Sequence, residues 1–126
     1  MAGLTYDTGA LIAAERSDRR IWALHRRALE RGIVPTVPAG VVGQGWRDGP
    51  QAQMPRLLAG CRIEVLDEAR ARSAGAACRA SGSADIVDAS VVVGAAARGD
   101  LVVTSDPADL SVLTAVLRVD LEIEAI

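Results

Sequence analysis

Apolar and polar positions alternate between two periods along this chain, and the switches between them mark its elements. Leu4-Thr5-Tyr6 reads as a short strand ending at Asp7, and residues 8–14 as a short helix. Residues 17–31 follow as a longer helix, with Ser17 or Asp18 as its cap and Gly32 as its stop. Ile21, Leu24 and Leu29 are expected to face inward with Trp22 beside them, while Arg19, Arg20, Arg26, Arg27 and Arg31 cover the rest. Residues 33–37 read as the next strand. Pro38 then opens a helix carrying Val41, Val42 and Trp46, with Gln44 between them, and Arg47-Asp48-Gly49-Pro50 breaks it. A further helix is expected over 51–59, ended by Gly60, and a strand over 62–66. Asp67 caps a helix running to about Ser81, with Glu68 favouring its first turn. Gly82 stops it, and Ser83 is placed to cap a helix over 84–98. Residues 101–104 read as a strand, Ser105-Asp106-Pro107 as the entry to a helix ending near Leu117, and residues 119–123 as a last strand.

Strands and helices in alternation, with a helix pair before the strand at Leu101, predict a three-layer α/β/α sandwich around a mostly parallel sheet. No linker, repeat or low-complexity segment interrupts residues 1–126, so one domain is expected. Composition agrees. Half of the residues are hydrophobic, yet Phe is absent and there are only one Tyr and two Trp, so Ala, Val, Leu and Ile must build the core. The longest apolar stretch, 89–97, is broken by Ser90 and Gly94 and is far short of the roughly 20 residues of a membrane span. Met1-Ala2-Gly3-Leu4 lacks the basic start and apolar stretch of a signal peptide, and the expectation is a cytoplasmic protein. Cys61 and Cys78 have no metal-ligand spacing and read as reduced structural thiols.

Net charge of −2 does not announce a nucleic-acid binder, but the distribution of charge is informative. All 14 basic residues are Arg. The absence of Lys excludes Schiff-base and P-loop lysines, and it argues against phosphoacceptor or phosphatase-type α/β domains, which depend on a Lys near the phosphate. Phosphate contacts must come from Arg, backbone N–H groups or metal. His25, the only His, sits on an Arg-rich helix and is expected at the surface; alone it supports no Ser–His–Asp arrangement. Trp22 and Trp46 read as core or interface residues. The arginines between Arg16 and Arg31 read as a solvated helix face, with an RNA-phosphate or partner surface as the alternative.

Ligand sites in parallel α/β sheets lie beyond the carboxyl ends of strands, and Asp7 and Asp106 occupy that position. Both share one crevice if their strands are neighbours. The helix over 84–98 is apolar nearly all round and should be buried, yet it carries Asp88 within Ile86-Val87-Asp88-Ala89, with Asp85 on the same face. A lone ionised Asp there costs several kcal/mol unless paired or bound to a cation. Two carboxylates about 4 Å apart repel by roughly 4 kcal/mol at an effective dielectric of about 20. Arg, shared protons or a divalent metal would offset this, and oxygen-only ligands select Mg²⁺ or Mn²⁺. Capping competes with this reading. Asp106 precedes Pro107 as an N-cap would, Asp109 then favours the helix dipole, and Asp7 is placed to cap the helix at Thr8. Asp88 has no capping role.

These segments together resemble PIN domains. The opening 4–12 (LTYDTGALI) resembles the family's first strand and aspartate, 85–89 (DIVDA) its Asp-Ala helix start, and 102–110 (VVTSDPADL) its late Thr-x-Asp…Asp element. The stretch 37–44 (VPAGVVGQ) resembles the entry to its second helix. The order is the family's, the segments span nearly the whole chain, and the likeness is strongest to VapC toxins of bacterial toxin–antitoxin pairs. The resemblance implies a ribonuclease holding Mg²⁺ or Mn²⁺ on Asp7, Asp88 and Asp106, with Asp85 catalytic beside them and Asp109, Thr104 and residue 44 in support. It also implies a homodimer and an antitoxin whose tail blocks the site. One position departs: family members usually carry Glu where this chain has Gln44. Gln keeps a carbonyl oxygen but loses a charge and any role as general base, so weaker metal binding or a binding-only module is the alternative reading. Glu15 is a weak substitute for the missing carboxylate.

Overall fold

The computed structural model describes residues 3–126; Met1 and Ala2, the start of the stretch read for a leader, lie outside the described residues. Five strands form one all-parallel sheet: β1 (Leu4–Tyr6), β2 (Thr36–Pro38), β3 (Arg62–Glu64), β4 (Leu101–Thr104) and β5 (Ile123–Ala125), in the order β3-β2-β1-β4-β5. Among the described residues seven helices surround it: α1 (Thr8–Glu15), α2 (Arg19–Glu30), α3 (Ala39–Trp46), α4 (Met54–Leu58), α5 (Glu68–Ser81), α6 (Ile86–Arg98) and α7 (Pro107–Leu117). The architecture is the three-layer α/β/α sandwich expected, with a sheet parallel throughout.

Side chains that alternate along a strand meet different layers. Tyr6 faces α2, where its hydroxyl meets His25 Nδ1 at 2.9 Å. Its neighbour Thr5 faces α6, where its hydroxyl donates to Asp100 at 2.8 Å and accepts from the Arg98 guanidinium at 2.9 Å. Arg98 also pairs with Asp100 at 2.8 Å and with Glu64, joining α6, β1, β3 and β4 through one polar network beneath the helix. The main core is aliphatic, built on Leu11, Ile21, Val37, Val41, Leu57, Val91, Val92, Val102, Val103 and Leu110. A smaller cluster of Ala74, Ala77, Cys78 and Ala89 lets α5 lie close to α6. No single helix among the described residues is long and apolar enough to cross a membrane.

Several boundaries differ from expectation, each for a local reason. α2 begins at Arg19 because Asp18 caps it, accepting from Arg20 N–H at 2.8 Å; Ser17 is left-handed (φ 59°) and is not the cap. Its buried face is Ile21, His25 and Ala28, while Leu29 is 42% exposed. His25 is therefore a core residue and not a surface one: it bonds to Tyr6 and meets the Trp22 ring edge-on at 6.0 Å. Burial lowers its pKa and keeps it neutral. The strand expected over 33–37 starts only at Thr36, because Ile33 N–H still closes the helix end on Ala28 and Val34 is 58% exposed. Pro38 ends β2 and caps α3. α4 is shorter than the 51–59 expected, since the Glu15 carboxylate takes the N–H groups of Ala52, Gln53 and Met54. The last strand is 123–125 and not 119–123, because Arg118 adopts a left-handed turn (φ 53°) and residues 119–122 are needed to return the chain to β4.

Candidate metal centre

The chain runs from β1 outward to β2 and β3, then returns to the far side of β1 for β4 and β5. The strand order therefore reverses between β1 and β4, and a crevice opens beyond their carboxyl ends. Asp7 follows β1 and Asp106 follows β4, so the two expected aspartates stand at the ends of neighbouring parallel strands.

Three helices begin at this crevice, and all five candidate carboxylates occupy their first turns. Asp7 is the N-cap of α1 and accepts from Ala10 N–H at 3.1 Å. Asp85, rather than the expected Ser83, caps α6 and accepts from Asp88 N–H at 2.9 Å; the Ser83 hydroxyl accepts from Asp85 N–H at 3.1 Å instead. Asp106 stands at the N-cap of α7 but makes no side-chain capping bond. Asp88 and Asp109 lie three residues into α6 and α7. Helix dipoles favour acids here by roughly 0.3–1 kcal/mol each. A capping box would place Glu or Gln at the third position, reaching back to the cap's N–H. Asp is too short for that. In both helices it meets another carboxyl instead, Asp88 beside Asp85 and Asp109 beside Asp106, each within hydrogen-bonding reach.

The electrostatics carry this cost. Burial and the charges of Asp85, Asp7 and Asp109 push Asp88, half-buried at the mouth of the crevice, up to about 6. Asp7 is only 7% exposed. Burial raises its pKa, hydrogen bonds from Thr104 and from the Ala10 and Gly9 N–H groups oppose the rise, and Asp106 adds to it. Asp109 is raised chiefly by the charge of Asp106 and by its contact with it. Thr104, fully buried, links the two strand ends: its hydroxyl accepts from Asp106 N–H at 2.9 Å and reaches the Asp7 carboxylate.

None of the five carboxylates joins a salt bridge among the described residues; the arginines pair elsewhere, with Asp18, Glu30, Glu64, Glu68 and Asp100. Of the three ways to offset the repulsion, Arg is not used. Shared protons and a bound cation are what the arrangement allows. The donor set is oxygen only, which suits Mg²⁺ or Mn²⁺. Among the described residues no three acidic, His or Cys side chains converge tightly enough to enclose an ion as they stand. Asp85, Asp88 and Asp109 do line a common cleft of about 350 Å³. On its other side a more open cleft of about 590 Å³ lies between Gln44 on α3 and the start of α6. The Gln44 carbonyl accepts from the Thr8 hydroxyl at 2.6 Å, beside Asp7. Glu15 is committed to the 52–54 backbone and is not available as a replacement carboxylate. A cleft of about 500 Å³ between α2 and β5 lies beside Leu4 and Leu101, at the opposite ends of the strands from the carboxylates.

The repeated Asp-x-x-Asp at two helix starts (85–88 and 106–109) was open to view in the sequence. The linking role of Thr104 and the commitment of Glu15 depend on contacts between distant segments, and no local signal carried them. Both cysteines are free, and burial pushes the Cys61 thiol up to about 12, which leaves it inert at neutral pH.

No family model matches the chain, and no curated protein matches it in sequence. Among solved structures it is similar to PAE2754 from Pyrobaculum aerophilum, with a TM-score of 0.65 at 15% sequence identity over 97% of this chain and 83% of that one. At that identity the likeness is one of fold.

Proposed function

We propose that this chain is a Mg²⁺- or Mn²⁺-dependent ribonuclease, a toxin of the VapC type acting in the cytoplasm. One observation carries the metal half of the reading: five carboxylates gather around the β1/β4 switch point, and none of them pairs with a cationic side chain among the described residues. Asp beside Asp at two successive helix starts leaves like charges in contact that a cation would relieve. The RNA half rests on the resemblance of the four sequence segments to PIN domains.

Asp7, Asp88 and Asp106 would hold the ion, which when bound supplies charge stabilisation at a phosphoryl oxygen and acidifies a water. Asp7 is fixed by the α1 N-terminus and Thr104, so it is the rigid ligand. Asp106 makes no capping bond, which would leave its carboxylate oxygens free for the ion. Asp85 is held by Asp88 N–H and Asp109 by its contact with Asp106, and in this reading both would orient a water or accept its proton. Arg would grip the substrate phosphates. A homodimer and a cognate antitoxin are part of the same reading.

A second reading is favoured by one contact. Gln44 offers no charge, and its carbonyl is already taken by Thr8. The chain would then be a PIN-like module that binds RNA or a partner without cutting. Incubating a labelled structured-RNA pool with the purified protein and Mn²⁺, against EDTA and Asp88→Asn controls, separates the two. Metal-dependent cutting lost in the variant supports the nuclease. Unchanged cutting by Asp88→Asn sinks the assignment, and no cutting by folded, Mn²⁺-loaded protein favours the binding module.

A further inference from the structure

Gly9 lies in the first turn of α1, where its backbone is helical and makes no demand for glycine. Glycine is the poorest helix former after proline, so something other than conformation holds it there. The reason is space. A Cβ at position 9 would overlap Ser105 Oγ outright and would lie 2.9 Å from Ser105 N and 3.0 Å from Ser105 Cβ. Rotation of the Ser105 side chain would relieve the first contact. The other two involve the backbone and Cβ, so the turn between β4 and α7 would have to retreat by about half an ångström to restore ordinary contact distances.

Position 9 is two residues from Asp7, and position 105 adjoins both Thr104 and Asp106. We infer that Gly9 is a positioning residue, whose missing side chain seats the Ser105 turn against α1 and thereby sets the spacing between Asp7 and Asp106. The inference rests on the metal-centre reading above. Ligand distances around Mg²⁺ or Mn²⁺ tolerate errors of only about 0.2 Å, so a retreat of half an ångström is enough to loosen the site. Gly9 acts through Asp106, and Ser105 is the other half of the contact.

The test is a set of variants of the whole chain: Gly9→Ala, Ser105→Gly, the two combined, Asp106→Asn, and Gly9→Ala with Asp106→Asn. Mn²⁺ affinity is read by titration calorimetry and folding by thermal unfolding without metal. Gly9→Ala should weaken Mn²⁺ by about 10- to 100-fold while remaining folded, as loss of supporting contacts does at metal sites. Ser105→Gly added to it should recover part of the affinity, because it removes Ser105 Oγ and Cβ but leaves the 2.9 Å contact with the backbone N. Once Asp106 is Asn, Gly9→Ala should cost nothing further. Parental affinity in Gly9→Ala, or an equal loss in the Asp106→Asn background, overturns the inference. If Gly9→Ala alone fails to fold, folding of the combined variant supports the seat, and failure of both overturns it. If the parent itself does not bind Mn²⁺, the metal reading fails separately. Non-additive melting temperatures of Gly9→Ala and Ser105→Gly then support the steric seat, and additive ones remove it.

Discussion

Replacing Asp88 with Asn should make the metal-free protein more stable. Asp88 titrates at about 6 instead of 3.8, a displacement of roughly two pH units. Each unit corresponds to about 1.4 kcal/mol of preference for the protonated form, so full transmission would give about 3 kcal/mol. The group is half-exposed and solvent screens it, which brings the expected contribution to about 1–1.5 kcal/mol. The sign follows from linkage. A carboxyl raised in the folded state keeps its proton longer than in the unfolded chain, so its contribution to stability falls as pH rises from about 4 to about 6. Above that window the folded protein carries an ionised Asp88 beside Asp85, Asp7 and Asp109. Asn removes the charge, so at pH 7.5 in EDTA the variant should melt about 3–6 °C above the parent, and the gap should close toward pH 4. Adding Mn²⁺ should reverse the ranking. An ion at 100 times its Kd stabilises the parent by about 2.7 kcal/mol, while the variant gains little. Thermal unfolding of both proteins at pH 4–8, with EDTA and with Mn²⁺, makes the comparison. A variant less stable than the parent in EDTA at pH 7.5, or equally stabilised by Mn²⁺, would refute the reasoning.

Three further outcomes are expected. Gln44→Glu should tighten Mn²⁺ binding by up to about tenfold and raise cleavage if the parent cuts, because a carboxylate joins the crevice beside Thr8; unchanged affinity by calorimetry would show that position 44 does not reach the ion. His25→Ala should cost about 2–3 kcal/mol in urea unfolding, through the cavity it leaves and the Tyr6 hydroxyl it strands. Because burial lowers the pKa of His25, its contribution is complete above about 6.5 and is lost as pH falls below it, so the parent-minus-variant difference should shrink on acidification. Arg98→Met should cost about 3 kcal/mol, since it leaves Asp100 beneath α6 without its cation and Glu64 with only Arg70 at 3.8 Å; a loss below about 1 kcal/mol in the same assay would mean water or Arg70 compensates.

The architecture was legible because it depends on periodicity and punctuation, both local. Asp67 and Gly82 bracket α5 in the sequence as they do in the fold. The errors gather where a distant group decides. Glu15 shortens α4 from 37 residues away, and no pattern within 51–59 records it. His25 looked like a surface residue because arginines surround it on α2. A helix face is chosen by what lies opposite, and Tyr6 on β1 offers a buried hydroxyl that a neutral imidazole satisfies. Ile21, His25 and Ala28 hold the i, i+4, i+7 spacing of a buried face, so the period was present and polarity concealed it.

For the carboxylates the sequence carried position and the structure supplied circumstance. Asp7 and Asp106 were recognisable from their places after strands, yet their proximity depends on β1 and β4 being neighbours, which is a property of topology. Capping and metal binding had appeared to be rival explanations for the same residues. The structure makes them compatible: Asp7 and Asp85 each spend one carboxylate oxygen on a helix N–H, which fixes the direction of the other. Asp106, placed as a cap, makes no such bond, and Asp88 and Asp109 sit where a longer Glu would have eased the charge. Three helix N-termini supply enough positive potential to tolerate the acids singly but leave adjacent carboxyls in contact. That residual repulsion is what a divalent cation would relieve, so Asp88→Asn without metal and Mn²⁺ on the parent should both stabilise by acting on the same cluster of charges, the second by an amount that also grows with ion concentration.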